Sequence, residues 1–291
     1  MALRTPTLED PAAWTVGAYL GEQLRELEER ESQVRRDVPD SLHKMRVAIR
    51  RLRSALATYR PLLDRTVSDP LRDELKWLAG ILGEVRDAEV MHERLTSVLA
   101  EWDGQGSGGD AGDRLVARLE EARRTGQVHV LEVLDGTRYA RLLAALEALV
   151  ADPPWRPRAH RPARKVLPGR VEHAWTRLRR LARAAEKADD PAERAARLHE
   201  VRKAAKRTRY ASESLVPLYG HPARELAREM TGLQDVLGAH QDSVVAEKLA
   251  IELGLRQLRD LEQARQAECR QRYAEVWHSA SRRQLRRWLD T

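Results

Sequence analysis

The chain contains 291 residues, of which 42% are hydrophobic and 33% charged, and its 52 Lys and Arg against 45 Asp and Glu give a formal net charge of +7. This apolar content supports a packed core and excludes a chain that is disordered throughout. Aromatic residues make up only 4% and Phe is absent, so strand-favouring side chains are scarce and helix formers predominate. The composition therefore predicts an all-α fold.

Other features of the composition indicate the compartment and the kind of partner. Cys269 is the single cysteine, which excludes an intramolecular disulfide and a zinc site built on cysteines. No apolar run approaches the roughly 18 residues of a membrane span, and residues 1–14 lack the hydrophobic segment of a secretory signal. We therefore expect a cytoplasmic protein without a membrane partner. A pI near 9.8 favours an anionic binding partner.

Apolar residues at three- and four-residue spacing predict long helices in chain order. They cover about residues 9–37, 40–60, 70–100, 113–133, 137–150, 164–188, 191–216, 222–253 and 255–289. A Gly-rich run at 103–110 predicts a flexible loop, and the Pro-rich segment 152–162 separates two halves. Asp190 before Pro191 predicts a capped helix start. Long helices with short connections are typical of antiparallel bundles.

The two halves contain an internal repeat. Residues 41–62 align with residues 197–218 without a gap, at an offset of 156 (199 − 43). Downstream, the sequence LGEVRD at 82–87 corresponds to LGAHQD at 237–242, at an offset of 155 (237 − 82). Each half thus carries a basic helix that opens with Leu-His and then a helix with an L-G-x-x-x-D motif.

Each basic helix is predicted to carry one cationic stripe beside its apolar face. At ~100° per residue, the stripe positions fall in a band roughly 80° wide. Like charges at such spacing destabilise a helix by roughly 0.2–0.5 kcal/mol per pair, and we find no acidic residue in the band of either copy. The repeated stripe therefore favours an anion-binding groove over a solvated surface. The stripe residues are His43, Arg46, Arg50 and Arg53, then His199, Arg202, Lys206 and Arg209.

The chemistry of the stripe suits a linear polyanion. Its charges repeat along ~15–20 Å of helix, which is longer than a small anion requires. Arg presents two parallel donors to phosphate oxygens, Lys acts as a point charge, and His gains charge as the pH falls.

The pattern L-H-x-x-R-x-x-x-R-x-x-R, present twice with L-G-x-x-x-D downstream, resembles the CHAD family, the conserved-histidine α-helical domain. In the second copy Lys206 takes the place of one arginine. The resemblance covers residues 9–290 and implies one domain of two pseudo-symmetric four-helix bundles, at 9–152 and 163–290, around a basic groove or channel. It also implies a non-enzymatic protein that binds inorganic polyphosphate, needs no cofactor and associates with polyphosphate granules.

Carried over position by position, the resemblance implies that the eight stripe residues contact polyphosphate. Four further cations are expected to border the same surface: Lys203, Arg207, Arg51 and Arg86. Gln241 stands where the first copy has Arg86, so the second copy has no charge at that position. No catalytic residue and no metal ligand is predicted.

Three other functions stay open at this level. A general polyanion or nucleic-acid binder would use the same charges, although the sequence has no basic-aromatic platform for single strands. A metal-dependent phosphohydrolase would use Asp87 and Asp242, although no two histidines stand at i, i+4 spacing. A bundle that only binds a protein partner predicts no affinity for phosphate.

Overall fold

The computed structural model describes the backbone of residues 5–103, 109–252 and 254–290, and their side chains except at 86–116, 118 and 119. These ranges are helical and contain no β-strand, which confirms the all-α prediction. None of their helices has the length and apolar character needed to span a bilayer. Most of the predicted Gly-rich loop, residues 104–108, lies outside the described ranges.

Eleven α-helices occur in the described ranges, and short 3-10 turns at Arg60–Leu62, Pro157–His160 and Arg283–Leu289 accompany them. In chain order they are α1 (Ala12–Arg35), α2 (Ser41–Thr58), α3 (Arg65–Asp103), α4 (Gly109–Asp135), α5 (Thr137–Ala151), α6 (Ala163–Val166), α7 (Pro168–Glu186), α8 (Pro191–Glu213), α9 (Val216–Tyr219), α10 (His221–Glu252) and α11 (Arg256–Ala280).

Helix boundaries follow capping groups more closely than they follow apolar periodicity. The predicted start of α3 at Pro70 is five residues late, because Asp64 accepts hydrogen bonds from the backbone N–H and the hydroxyl of Thr66, both at 2.9 Å. This cap begins the helix at Arg65 and leaves Pro70 inside it. Asp190 accepts the N–H of Glu193 at 2.7 Å, which confirms the predicted cap of α8.

Two predicted helices are divided in the structure. The segment predicted at 164–188 forms the short α6 and then α7, which begins at Pro168. Proline suits the first helical position because it has no N–H to donate. The segment predicted at 255–289 forms α11 as far as Ala280 and then a 3-10 turn.

Contacts divide the chain into two compact units. The N-terminal unit contains residues 19–57 and 63–154, and the C-terminal unit contains residues 1–18, 58–62 and 155–291. Each unit contains one copy of the repeat, so each basic helix is described with the helices of its own unit.

The C-terminal unit is built on four long helices. Helix α8 packs against α7 and α10, and α10 packs against α11. The core between them includes the buried side chains of Trp175, Val201 and Met230. The ring of Trp175 stacks on that of Trp277 with 5.6 Å between centroids, which joins α7 to α11. This packing fixes α8 along its apolar face.

The N-terminal unit contains most of α1, α2 except its last residue, and all of α3 to α5. Helix α3 packs against α4 and α5, and the apolar faces of α2 and α3 are buried, for example at Ile49 and Leu78. Arg138 on α5 donates hydrogen bonds of 2.7 and 3.0 Å to the carboxylate of Glu74 on α3. Helices α4 and α5 correspond to the helices predicted at about 113–133 and 137–150, after the Gly-rich run.

Candidate anion-binding site

The eight stripe residues lie at the border between core and surface. Helices α2 and α8 bury most of their apolar faces, with Ile49 and Val201 among the fully buried residues. All eight stripe side chains are half-buried. Because the apolar face is packed inside, the adjoining stripe is drawn partly out of water, and its charges are less screened than those of an exposed surface.

In each unit the L-G-x-x-x-D motif places its glycine against the first arginine of the stripe. A Cβ atom added at Gly83 of α3 would lie 3.6 Å from Nη2 of Arg46. A Cβ atom added at Gly238 of α10 would lie 3.2 Å from Nη2 of Arg202. The glycine thus leaves room for a guanidinium against the neighbouring helix. In both units this contact joins the two motifs of the repeat, a relation that the sequence did not reveal.

The later arginines of the first stripe lack acceptors for part of their guanidinium groups. The Nε atoms of Arg50 and Arg53 are buried and hydrogen-bond to no residue that the structure describes. Burial lowers the pKa of the Arg53 guanidinium; the charges of Arg72 and Arg50 lower it further, while Asp73 acts in the opposite direction. Arg72, on α3, is a cation near this stripe that the sequence analysis missed.

The second stripe contains an acidic residue, so the expectation of an acid-free band was wrong for that copy. Nε of Arg209 donates to Oε1 of Glu213 at 2.6 Å, one helical turn further along α8. Burial lowers the pKa of Arg209, but the hydrogen bond to Glu213 and the charges of Glu213 and Asp235 outweigh it and raise that pKa. The i, i+4 spacing of Arg209 and Glu213 was a readable signal in the sequence.

His199 occupies a cationic and partly desolvated position. Burial lowers the pKa of its imidazole below 6.5, and the charges of Lys203 and Arg202 lower it further. A hydrogen bond with the side chain of Gln241 acts in the opposite direction, as does the charge of Glu200. Its Nδ1 atom is buried and has no partner among the described residues. Gln241, from the second L-G-x-x-x-D motif, thus contacts the stripe although it carries no charge.

The bordering cations differ in their surroundings. Lys203 is exposed, and its Nζ forms an ion pair with Oε1 of Glu200 at 2.7 Å. Arg207 is also exposed, whereas Arg51 is half-buried. The side chain of Arg86 lies outside the described residues.

Only one of the two carboxylates of the L-G-x-x-x-D motifs lies among the described side chains. Asp242 on α10 is half-buried, and the side chain of Asp87 lies outside the described residues. Among the side chains that the structure describes, no group of three or more His, Cys, Asp or Glu residues is arranged to hold a metal ion.

Two of the cavities formed by the described residues are sizeable and lie away from the stripes. One of about 810 Å³ in the N-terminal unit is lined by apolar residues such as Leu71 and Leu142. Another of about 620 Å³ in the C-terminal unit is lined by Arg270, Tyr273 and Trp277, among others. The predicted binding residues line neither cavity.

Comparison with protein families shows what this combination of helices and motifs represents. The family model of the CHAD domain matches residues 18–251, which include both copies of the repeat. The chain belongs to the CHAD domain family. This CHAD domain is also 35% identical over 251 residues to two uncharacterized proteins of Mycobacterium tuberculosis, from strains CDC 1551 and ATCC 25618. The match covers 85% of the chain but only 47% of each relative, so the chain spans about half their length.

Two solved structures share the fold of this CHAD domain. The CHAD domain from the plant Ricinus communis is 28% identical, with a TM-score of 0.69 over 100% of this chain and 95% of that one. PptA from Streptomyces chartreusis is 21% identical, with a TM-score of 0.78 over 92% of this chain and 99% of that one. The likeness to the second structure concerns the fold alone.

Proposed function

We propose that this CHAD domain binds inorganic polyphosphate through the stripes of α2 and α8 and does not hydrolyse it. The observation that carries the proposal is the half-buried cationic stripe, present in both units with the same glycine contact at its first arginine. A row of partly desolvated guanidinium groups is stabilised by a row of phosphates, because charge-assisted hydrogen bonds are strongest where water is excluded. Two statements stay predictions: that both stripes line one groove, and that the protein associates with polyphosphate granules.

Competition between polyanions tests this proposal. We expect long-chain polyphosphate to displace a labelled polyphosphate at lower concentration than RNA or heparin of matched total charge. Phosphate release with and without Mg²⁺ should stay at the level of the buffer. Equal displacement by RNA would favour a general polyanion binder, and Mg²⁺-dependent release would favour a phosphohydrolase.

The salt dependence of affinity gives a second measure of the same interaction. If about six Arg and Lys side chains engage phosphates, log K should fall against log[salt] with a slope of about −4, by the rule for single-stranded polyanions. We expect isothermal titration at several salt concentrations to give a slope of that size. A slope near zero would contradict binding through the stripes.

Binding should tighten as the pH falls, because of His199. In the free protein, burial and the charges of Lys203 and Arg202 hold the pKa of this imidazole below its ordinary value, which disfavours its charged form. A bound phosphate favours the charged imidazole and raises its pKa. Binding therefore takes up a proton at pH values between the pKa of the free protein and the higher pKa of the complex.

We expect a several-fold gain in affinity between pH 7.5 and 5.5, within the limit of about tenfold per unit of pKa change. Titrations in buffers of different ionisation enthalpy should detect the proton uptake. In the variant His199→Gln, the affinity for polyphosphate should change less with pH. An equally steep profile in this variant would remove His199 from the contact surface.

A further inference from the structure

The two stripes differ in charge at equivalent positions of the repeat. Arg209 is paired with Glu213 at 2.6 Å, but the first copy has Ala57 at the position of that acid (213 − 156 = 57). Asp235 adds negative charge near Arg209, and its equivalent in the first copy is Gly80 (235 − 155 = 80). The first stripe therefore lacks both acids that neutralise the second.

The first copy also has an additional cation. Arg72 of α3 acts electrostatically on Arg53, and the equivalent position on α10 is Ala227 (72 + 155 = 227), which is buried. Arg72 itself forms an ion pair with an acid, since its Nη1 lies 3.4 Å from Oδ1 of Asp69. The second copy thus has no counterpart to this third guanidinium.

In the first repeat, Arg50 of the stripe and Arg72 of α3 therefore both act electrostatically on Arg53, with Asp73 as the opposing charge. The Nε groups of Arg50 and Arg53 are buried without an acceptor among the described residues. Partly desolvated like charges repel one another, and an anion relieves this repulsion more than it does at an already neutralised arginine. The tetrahedral phosphate group, with several oxygen acceptors, matches such a cluster.

We propose that Arg50, Arg53 and Arg72 form a phosphate subsite in the first repeat, and that Glu213 keeps the corresponding arginine of the second repeat from engaging phosphate. This inference rests on the proposed binding of polyphosphate and makes its two half-sites unequal. The first repeat holds the ligand tightly, whereas Glu213 weakens the second.

Exchange of the acid between the two repeats tests the inequality. Ala57→Glu places a carboxylate four residues after Arg53, as Glu213 stands after Arg209. We expect it to weaken the binding of long-chain polyphosphate about fivefold, and Glu213→Gln to strengthen it about threefold, as charge-assisted contacts are lost or gained. Arg53→Ala should weaken binding about tenfold and Arg209→Ala by less than threefold.

Matched controls separate local effects from total charge. Ala144→Glu adds the same charge at an exposed position of α5 in the same unit. Glu193→Gln removes an acid from another i, i+4 pair of α8, where Arg197 contacts it at 2.6 Å. Both controls should change affinity by less than twofold. Circular dichroism and thermal unfolding of each variant would show whether Ala57→Glu folds, and Arg72→Ala, with an expected fivefold loss, provides an independent variant.

Inorganic pyrophosphate distinguishes a subsite for a single phosphate group from a need for a long chain. We expect it to bind weakly, and its binding to be abolished by Arg53→Ala but not by Arg209→Ala. Equal losses for these two variants, without a gain for Glu213→Gln, would overturn the inequality while polyphosphate binding stood. Failure of the unmodified protein to bind either probe would overturn the proposed function and the subsite together.

Discussion

Replacing Arg46 and Arg202 together by alanine should weaken polyphosphate binding at least a hundredfold while the helical circular dichroism signal stays unchanged. Each arginine is half-buried and lies against the neighbouring helix at a motif glycine. The loss of one charge-assisted contact corresponds to about 1.5–3 kcal/mol, or roughly tenfold or more for each side chain. The slope of log K against log[salt] should also become shallower by about 1.4, as two phosphates are no longer neutralised.

The matched control removes two exposed arginines, one from each unit. Arg124 on α4 and Arg180 on α7 are both exposed, so the variant Arg124→Ala with Arg180→Ala has the same net charge as the test variant. We expect it to bind within about threefold of the unmodified protein, since exposed charges contribute little. If both double variants lost affinity equally, net charge rather than the stripes would account for binding.

Gly238→Ala should weaken polyphosphate binding about tenfold although it favours the helix. Alanine stabilises a helix interior by about 1 kcal/mol relative to glycine. The added Cβ would lie 3.2 Å from Nη2 and 3.5 Å from Nε of Arg202, so the guanidinium must shift by a few tenths of an ångström from its position against α10. Gly83→Ala should have a smaller effect, because its added Cβ would lie 3.6 Å from Arg46, an ordinary contact distance.

Two control glycines and a double-mutant cycle test whether Gly238 acts through Arg202. Gly80→Ala meets no atom within 4 Å, and Gly232→Ala approaches only Cγ1 of Val276, at 3.8 Å. Both should stabilise the protein against urea and leave affinity unchanged. In an Arg202→Ala background, Gly238→Ala should cause no further loss of affinity, since residues that act through one contact are not additive. Additive losses would show that the glycine does not position the arginine.

Much of the fold was predictable because it depends on local information. Apolar spacing located the long helices, and the Asp190 cap was read correctly because a cap involves residues three positions apart. The start of α3 was misplaced because Asp64 and Pro70 are both plausible helix starts, and local sequence did not show which one begins the helix. The division of the last predicted helix after Ala280 was missed for a similar reason, since a 3-10 turn continues the helical spacing of apolar residues.

By itself, the sequence determined the helical class, the repeat and the identity of the two cationic stripes, because helical periodicity and self-similarity are properties of neighbouring positions. It also contained the Arg209–Glu213 pair, which lies within one helical turn. Only the tertiary structure decided that Gly83 and Gly238 receive the guanidinium groups of Arg46 and Arg202 and that Arg72 acts on Arg53. These contacts join residues of different helices that are far apart in the sequence. They are determined by how the helices pack, which local sequence does not show.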